Sequence, residues 1–288
     1  MGLIKPFKQG KELASEIEFV RSAGSYSSLD IWWLGQSGFL ILWSGHTLLL
    51  DPYLSDSLTL KYANTNKPHV RMSEMVISPS LLTRIDIVTS SHNHTDHLDG
   101  ETLKEIFRVN PLIKMLIPEA NRTFVSERIN RSLDFPIGIT DGQEKRIGSF
   151  TFTGIASAHN TIERDSKGNC IFMGYVVQVG PFSIYHSGDT LLHDYLAQSL
   201  IPFHVDLAFL PINGNDPKRG VAGNLDGTEA AHLGKEINAG LVVPHHYHMF
   251  EFNTAEPDLF VSQCQKANQP FQVLKMGERF TLKKKGKI

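Results

Sequence analysis

Short apolar runs closed by polar or glycine-bearing breaks recur along most of this chain, and the breaks carry its chemistry. Ile31-Trp32-Trp33-Leu34, Gly38-Phe39-Leu40-Ile41-Leu42-Trp43 and Thr47-Leu48-Leu49-Leu50 are separated by Gly35 and by Ser44-Gly45, which predicts a meander of buried strands. Asp51-Pro52 ends it. Proline stops the strand and leaves an acid at its tip, either as a turn former or as a group that orients a metal ligand. Ahead of the meander, Leu13, Ile17 and Val20 lie at helical spacing and predict a surface helix over residues 9–22. Ile85 to Thr89 reads as a strand. Asp99 is an N-cap, and Leu103, Ile106 and Phe107 predict a helix from near Gly100. Further strands are expected over residues 112–117, within 147–155, over 171–179 and 182–185 as a hairpin about Gly180-Pro181, and over 205–210, 241–243, 271–274 and 280–282. Helices are expected over 119–129, near 191–200, over 229–237 and once more before residue 271. Residues 54–80 lose periodicity and gather Lys67, His69 and Arg71, a long surface excursion of the kind that shapes substrate pockets. Lys283 to Lys287 reads as a solvated tail.

Composition narrows the class. A 288-residue chain with 41% hydrophobic content buries a substantial core, and one domain over residues 1–288 is favoured over two small ones. Lys and Arg total 28 against 30 acidic residues, so no electrostatic footprint for nucleic acid is present. The amino terminus lacks the apolar segment of a signal peptide, and nothing approaches the roughly 20 apolar residues of a membrane span. Cys170 and Cys264 share no paired-metal spacing and read as reduced thiols, which points to a cytoplasmic protein. The expected partner is a small, anionic molecule, with neither nucleic acid nor membrane involved, and a homo-oligomer is compatible with the sequence.

Histidine is the anomaly. Nine of the 13 fall in four places: residues 92–97, His159, His186 with His193, and residues 245–248. His92 and His94, two apart, would project from opposite sides of a helix, so both reach one ion only from a loop. Strand, ligand loop, helix is an α/β layout with its chemistry at the carboxyl end of the strand. The event repeats, because His159, His186-Ser187-Gly188-Asp189 and Pro244-His245-His246 each follow a buried strand, and polar residues at successive strand ends converge on one sheet edge. His92, His94 and His159 then form a nitrogen set for one cation. Asp96, His97 and one of His245 and His246 form a mixed set for a second, with Asp189 bridging; neighbours on an extended chain diverge, so only one of the two adjacent histidines faces the ions. Imidazole and carboxylate without thiolate suit two divalent ions, zinc or manganese first and iron also acceptable. Two such ions about 3.5–4 Å apart share a water whose pKa falls toward about 7, giving a hydroxide nucleophile whose hydrogen bonds Asp96 and Asp189 accept. Asn213, Lys218, Arg219 and Asn224 in the 211–227 loop, with His69 and Arg71 in the excursion, are candidate contacts to a phosphate or carboxylate. His186, Tyr247 and His248 are candidate general acids for the leaving group. Trp32 and Trp33 belong to the core.

His92 to His97, His159, Gly188-Asp189 and His246, with Trp33-Leu34-Gly35 and Asp51-Pro52, resemble the metallo-β-lactamase-fold hydrolases over roughly residues 30–282. Ile85-Asp86, Tyr185-His186-Ser187-Gly188-Asp189 and Val243-Pro244-His245-His246 further resemble the L-ascorbate-6-phosphate lactonase branch. The resemblance implies an αββα sandwich with a dinuclear site at one edge of its two sheets, and His246 rather than His245 as the last ligand. It also implies hydrolysis of a lactone or ester of a small phosphorylated or sugar-like molecule. Phosphodiester cleavage uses the same ligand set and is the alternative enzyme reading. A metal-retaining binding protein without turnover is the non-enzymatic one. A redox di-iron role is disfavoured, since an acidic residue would be expected where His94 stands.

Overall fold

The computed structural model describes residues 2–220 and 223–284. One sheet has seven strands: β1 (Ser28–Gly35), β2 (Gly38–Trp43), β3 (His46–Leu50), β4 (Ile87–Thr89), β5 (Lys114–Pro118), β6 (Pro136–Ile139) and β13 (Arg279–Lys283), in the order β13-β1-β2-β3-β4-β5-β6. The other has six: β7 (Glu144–Ile147), β8 (Phe150–Ala156), β9 (Met173–Val179), β10 (Phe182–His186), β11 (Leu207–Pro211) and β12 (Val242–His245), in the order β12-β11-β10-β9-β8-β7. In each, an antiparallel meander passes into a parallel half: β3 through β6 in the first, β10 through β12 in the second. A parallel strand needs a crossover, and the crossovers bring helices onto the sheet faces.

These are α1 (Gly10–Ala23), α2 (Ser57–Tyr62), α3 (Gly100–Val109), α4 (Arg122–Ile129), α5 (Leu196–Leu200), α6 (Gly227–Glu236) and α7 (Asp258–Ala267). Each long helix buries one stripe. Leu13, Ile17 and Val20 of α1, Leu103, Ile106 and Phe107 of α3, and Phe260 and Cys264 of α7 all lie in the main core. Between the sheets, the Phe39 ring on β2 stacks on Phe209 of β11 at 3.9 Å, and Trp33 stacks on Tyr247 at 4.4 Å. Both tryptophans at 32 and 33 are buried as expected. Sheet on sheet with helices outside is the αββα sandwich, the fold class that the family resemblance implied.

The helix starts are chemically specified. Asp99 accepts hydrogen bonds from the Glu101 and Thr102 amides at 3.3 and 3.2 Å to cap α3, and Asp226 with Glu229 forms a capping box on α6. Several expected elements change. Residues 271–274 are not a strand: Phe271 makes a single bridge to Val242 beside β12 and the chain then departs. Only Leu196–Leu200 of the 191–200 span is helical, and the long excursion holds the short α2. β6 was not expected, because Pro136 and Gly138 are poor strand residues; proline is tolerated here as the first residue of an edge strand. Lys283 closes β13 and Lys284 pairs with Asp206 at 2.6 Å, so the expected tail shrinks to residues 285–287, which lie outside the described residues.

Candidate metal centre

The ligand candidates collect where strands of both sheets end. After β4 the chain turns through Ser90–Asp99, held by His97 N–H and Leu98 N–H to the His94 carbonyl at 3.0 and 2.8 Å and by the Tyr175 hydroxyl on the Ser90 carbonyl at 2.8 Å. Arg128 of α4 grips the same turn from outside, with Nη1 2.9 Å from the Asn93 carbonyl and 3.3 Å from that of Leu98. On the opposite sheet, β8 delivers His159, β10 delivers Asp189 and β12 delivers His246. The first two turns are tied together by Leu191 N–H to the Ala158 carbonyl (2.7 Å) and by Ser157 Oγ to the Ser187 carbonyl (3.0 Å). Gly188 is required between them: it has φ +57°, and a Cβ there would lie 2.6 Å from Ser91 Oγ.

Two ligand groups result. His92, His94, His159 and Asp189 form one, and Asp96, His97 and His246 the other, with the donor atoms in each group within 4.8 Å of one another. Asp189 faces both. Its Oδ1 is 3.1 Å from His97 Nε2 and 3.5 Å from His246 Nε2, while its Oδ2 is 3.9 Å from both His92 Nε2 and His159 Nδ1. His92 Nε2, His97 Nε2, His159 Nδ1 and Asp189 Oδ1 are buried and make no hydrogen bond, the 3.1 Å approach of His97 to Asp189 included. Four orphaned lone-pair atoms at one point are costly unless something electropositive sits among them. The donor set fits divalent cations.

Electrostatics agree. Burial holds His92 well below its ordinary value and pushes His159 down to about 4, so these rings are neutral and able to ligate. Burial would raise Asp189, but His97 and His246 outweigh it and keep the carboxylate ionised. Burial likewise opposes protonation of His246, yet Asp189 and Asp96 pull it up to about 9. The same two carboxylates would draw any cation.

The acid at the tip of β3 takes the second of its two expected roles. Asp51 Oδ2 lies 2.8 Å from His97 Nδ1, and Oδ1 accepts from the Ser91 amide and Thr89 Oγ1, both at 3.0 Å. Asp51 thereby places the His97 proton on Nδ1 and leaves Nε2 for a cation.

A cleft of about 520 Å³ opens over the centre, and His94, Asp96, His159 and Asp189 form its floor. Lys61, Lys67, His69, Arg128, Phe124 and Phe250 stand in its walls. Several residues read from the sequence as site groups stand elsewhere. His186 is fully buried beneath the site, with Nε2 on the Ser37 carbonyl at 2.9 Å and its ring stacked on His245, so it has no path to a leaving group. His248 turns outward to Glu256 at 2.9 Å, and the Tyr247 hydroxyl is spent on the Leu274 carbonyl at 2.6 Å. Arg71 is pinned by Asp56 at 2.7 Å and the Ser55 carbonyl at 2.5 Å. Asn224 bonds Asn213, and both Asn213 and Arg219 bond Asn253 Oδ1, so these side chains brace Asn253 of the cleft wall and do not line the cleft themselves. Lys218 is exposed and outside the cleft. His69 alone of the proposed substrate contacts lines it.

Other cleft residues were not foreseen. Lys61 sits on α2, where nothing periodic announced a helix, and Arg128 reads from its position as an ordinary last-turn arginine. Gln36, buried beside the ligand groups and not in the cleft, had no sequence signal beyond a turn between two glycines.

A family profile described as the Beta-lactamase superfamily domain matches residues 30–246. A metal-dependent hydrolase of Hyperthermus butylicus is 26% identical over 252 residues, which are 86% of this chain and 97% of that protein. One from Bacillus cereus is 29% identical over 252 residues, with the same coverage of 86% and 97%. Among solved structures, a metallo hydrolase from the archaeon Ignicoccus hospitalis superposes with a TM-score of 0.66 at 20% identity, covering 90% of this chain and 100% of that one. The chain belongs to the beta-lactamase superfamily. Within that superfamily, its fold and its convergent His and Asp groups make it a metal-dependent hydrolase of the metallo-β-lactamase type. Among the described residues no helix is long and apolar enough to cross a membrane.

Proposed function

We propose that the cleft holds two divalent cations, zinc or manganese, and that the enzyme hydrolyses a lactone or ester of a small anionic, phosphorylated or sugar-like substrate. The observation that carries this reading is the composition of the cleft: a floor of imidazole and carboxylate donors, His159 Nδ1 and Asp189 Oδ1 among them without a partner, under walls that carry Lys61, Lys67 and Arg128. None of these three cations pairs with a carboxylate among the described residues. Two bound cations would supply a nucleophile at neutral pH and a Lewis acid for the attacked oxygen.

The chain's own groups do the rest. Lys61 and Arg128 hold the anionic end of the substrate, with Arg128 already fixed by the ligand loop and stacked over Phe124 at 4.5 Å. Phe250 and Phe124 flank the uncharged part. Asp96 and Asp189, both kept ionised, can accept hydrogen bonds at their carboxylate oxygens. The lactone preference is supported by the motif likeness to the L-ascorbate-6-phosphate lactonase branch. A panel of phosphorylated lactones, phosphate-bearing esters and phosphodiesters, assayed after chelation and after restoration of zinc or manganese, tests it. Metal-dependent turnover of lactones or esters above phosphodiesters is expected; turnover of phosphodiesters alone replaces it with the alternative reading.

A further inference from the structure

Between β1 and β2 the chain reverses over Gly35-Gln36-Ser37-Gly38, and Gln36 takes φ +49°, a left-handed conformation that glycine or asparagine adopts more readily. Nothing in the turn itself calls for glutamine. The side chain is nevertheless fully buried and aimed into the metal centre. Its Nε2 donates to Asp96 Oδ2 at 2.9 Å and lies 3.0 and 3.3 Å from Nε2 and Nδ1 of the His246 ring. Its own carbonyl accepts the His246 amide at 3.1 Å and Trp33 Nε1 at 3.0 Å. Gln36 Oε1 is buried without a partner. The neighbouring Ser37 does the same for the other histidine of the pair, with Oγ 3.0 Å from His245 Nδ1.

We propose that Gln36 is a positioning residue for the second cation, clamping Asp96 and His246 so that they close on it together with His97. Each ligand group joins the loop after β4, which Arg128 and Tyr175 hold, to turns of the opposite sheet. In the first group the His159 and Asp189 turns are tied to each other through Leu191–Ala158 and Ser157–Ser187 hydrogen bonds, whereas in the second Asp96 must meet His246, 150 positions further along the chain. Gln36 touches both through one amide nitrogen. Its backbone contact sets the height of His246 and its amide sets the approach of the Asp96 carboxylate. A left-handed non-glycine residue at this point is the cost of bringing an amide of that length to the seam.

This inference rests on the two-cation reading above, and the experiment separates the two. Full-length wild type, Gln36→Asn and Gln36→Met are freed of metal, loaded with Zn²⁺ or Co²⁺, and compared by bound-metal stoichiometry, metal titration, the Co²⁺ absorption spectrum and melting of the metal-free protein. Asparagine suits the positive φ better than glutamine and keeps the amide, but draws it back by one methylene; methionine keeps the length and loses the amide. Both variants should fold. Two ions are expected in wild type. In both variants the second ion should bind about 10–100-fold more weakly, the loss usual when an outer hydrogen-bond partner of a ligand is removed, with a changed Co²⁺ spectrum and the first ion unaffected. Wild-type affinity and spectrum for both ions in Gln36→Asn would overturn the assignment and leave Gln36 a turn residue only. A wild type that takes up fewer than two ions would overturn the two-cation reading itself.

Discussion

Asp51 and His97 face each other across the ends of β3 and the ligand loop, 2.8 Å apart and both wholly removed from solvent. The pair fixes which imidazole nitrogen is free for a cation. Asp51→Ala should therefore lower divalent-cation affinity by about 10–100-fold, and because it also strips the Ser91 amide and Thr89 hydroxyl of their acceptor it should lower the melting temperature. Metal titration beside thermal melting of the metal-free protein checks both parts.

Lys61 and Arg128 should separate in their kinetics. Lys61→Met removes an exposed charge from the cleft wall, expected to raise KM for an anionic substrate by about 2–5-fold at nearly constant kcat, the size of a solvent-screened charge contact. Arg128→Met should raise KM and also weaken metal binding, because its guanidinium holds the Asn93 and Leu98 carbonyls of the ligand loop. Steady-state assays with parallel metal analysis distinguish them.

His248→Gln should leave kcat within about threefold. A general acid contributes about 10²–10⁴, so a loss of that size would show that His248 leaves Glu256 and enters the cleft during turnover.

Burial pushes both cysteine thiols up to about 12. At pH 8 they are protonated and shielded, so a thiol reagent should label neither in the native enzyme and both after denaturation. Labelling of the native protein at a rate comparable with a free thiol would contradict the burial described here.

Phe209→Ala should destabilise the fold by about 3–5 kcal/mol, the usual cost of removing a buried aromatic ring. Phe209 stacks on Phe39 where the two sheets meet, directly behind the strand ends that carry the ligands. Denaturant unfolding measures it.

Legibility in the sequence followed how locally each feature is encoded. His92 to His97 sit on one loop, and the strand before and capped helix after them have strong local signatures, so the loop and its helix start at Gly100 were readable. Asp189 and the pair His245-His246 were readable because each follows a buried run, while the choice of His246 within the pair came from the family resemblance. The substrate side was not. Arg71, Asn213 and Asn224 have the right chemistry, but their hydrogen bonds go to Asp56, Asn253 and one another, and such long-range pairing leaves no trace in local pattern. His186 and His248 mislead for the same reason: adjacency to ligands in sequence says nothing of depth, and one is beneath the floor while the other looks outward. Gln36 is the converse, a residue whose turn disfavours it and whose contacts, Asp96 and His246, lie far along the chain.

Tyr53, Leu58, Met249 and Phe250 form a small apolar cluster of their own, separate from the main core, with Tyr62 and Phe252 against it. It joins the segment bearing Lys61, Lys67 and His69 to the chain just beyond His246, and so that part of the wall, unlike Arg128 on α4, rests on an apolar cluster separate from the main core. Selection can replace that part, its length and its charges included, while the ligand-bearing scaffold stays as it is.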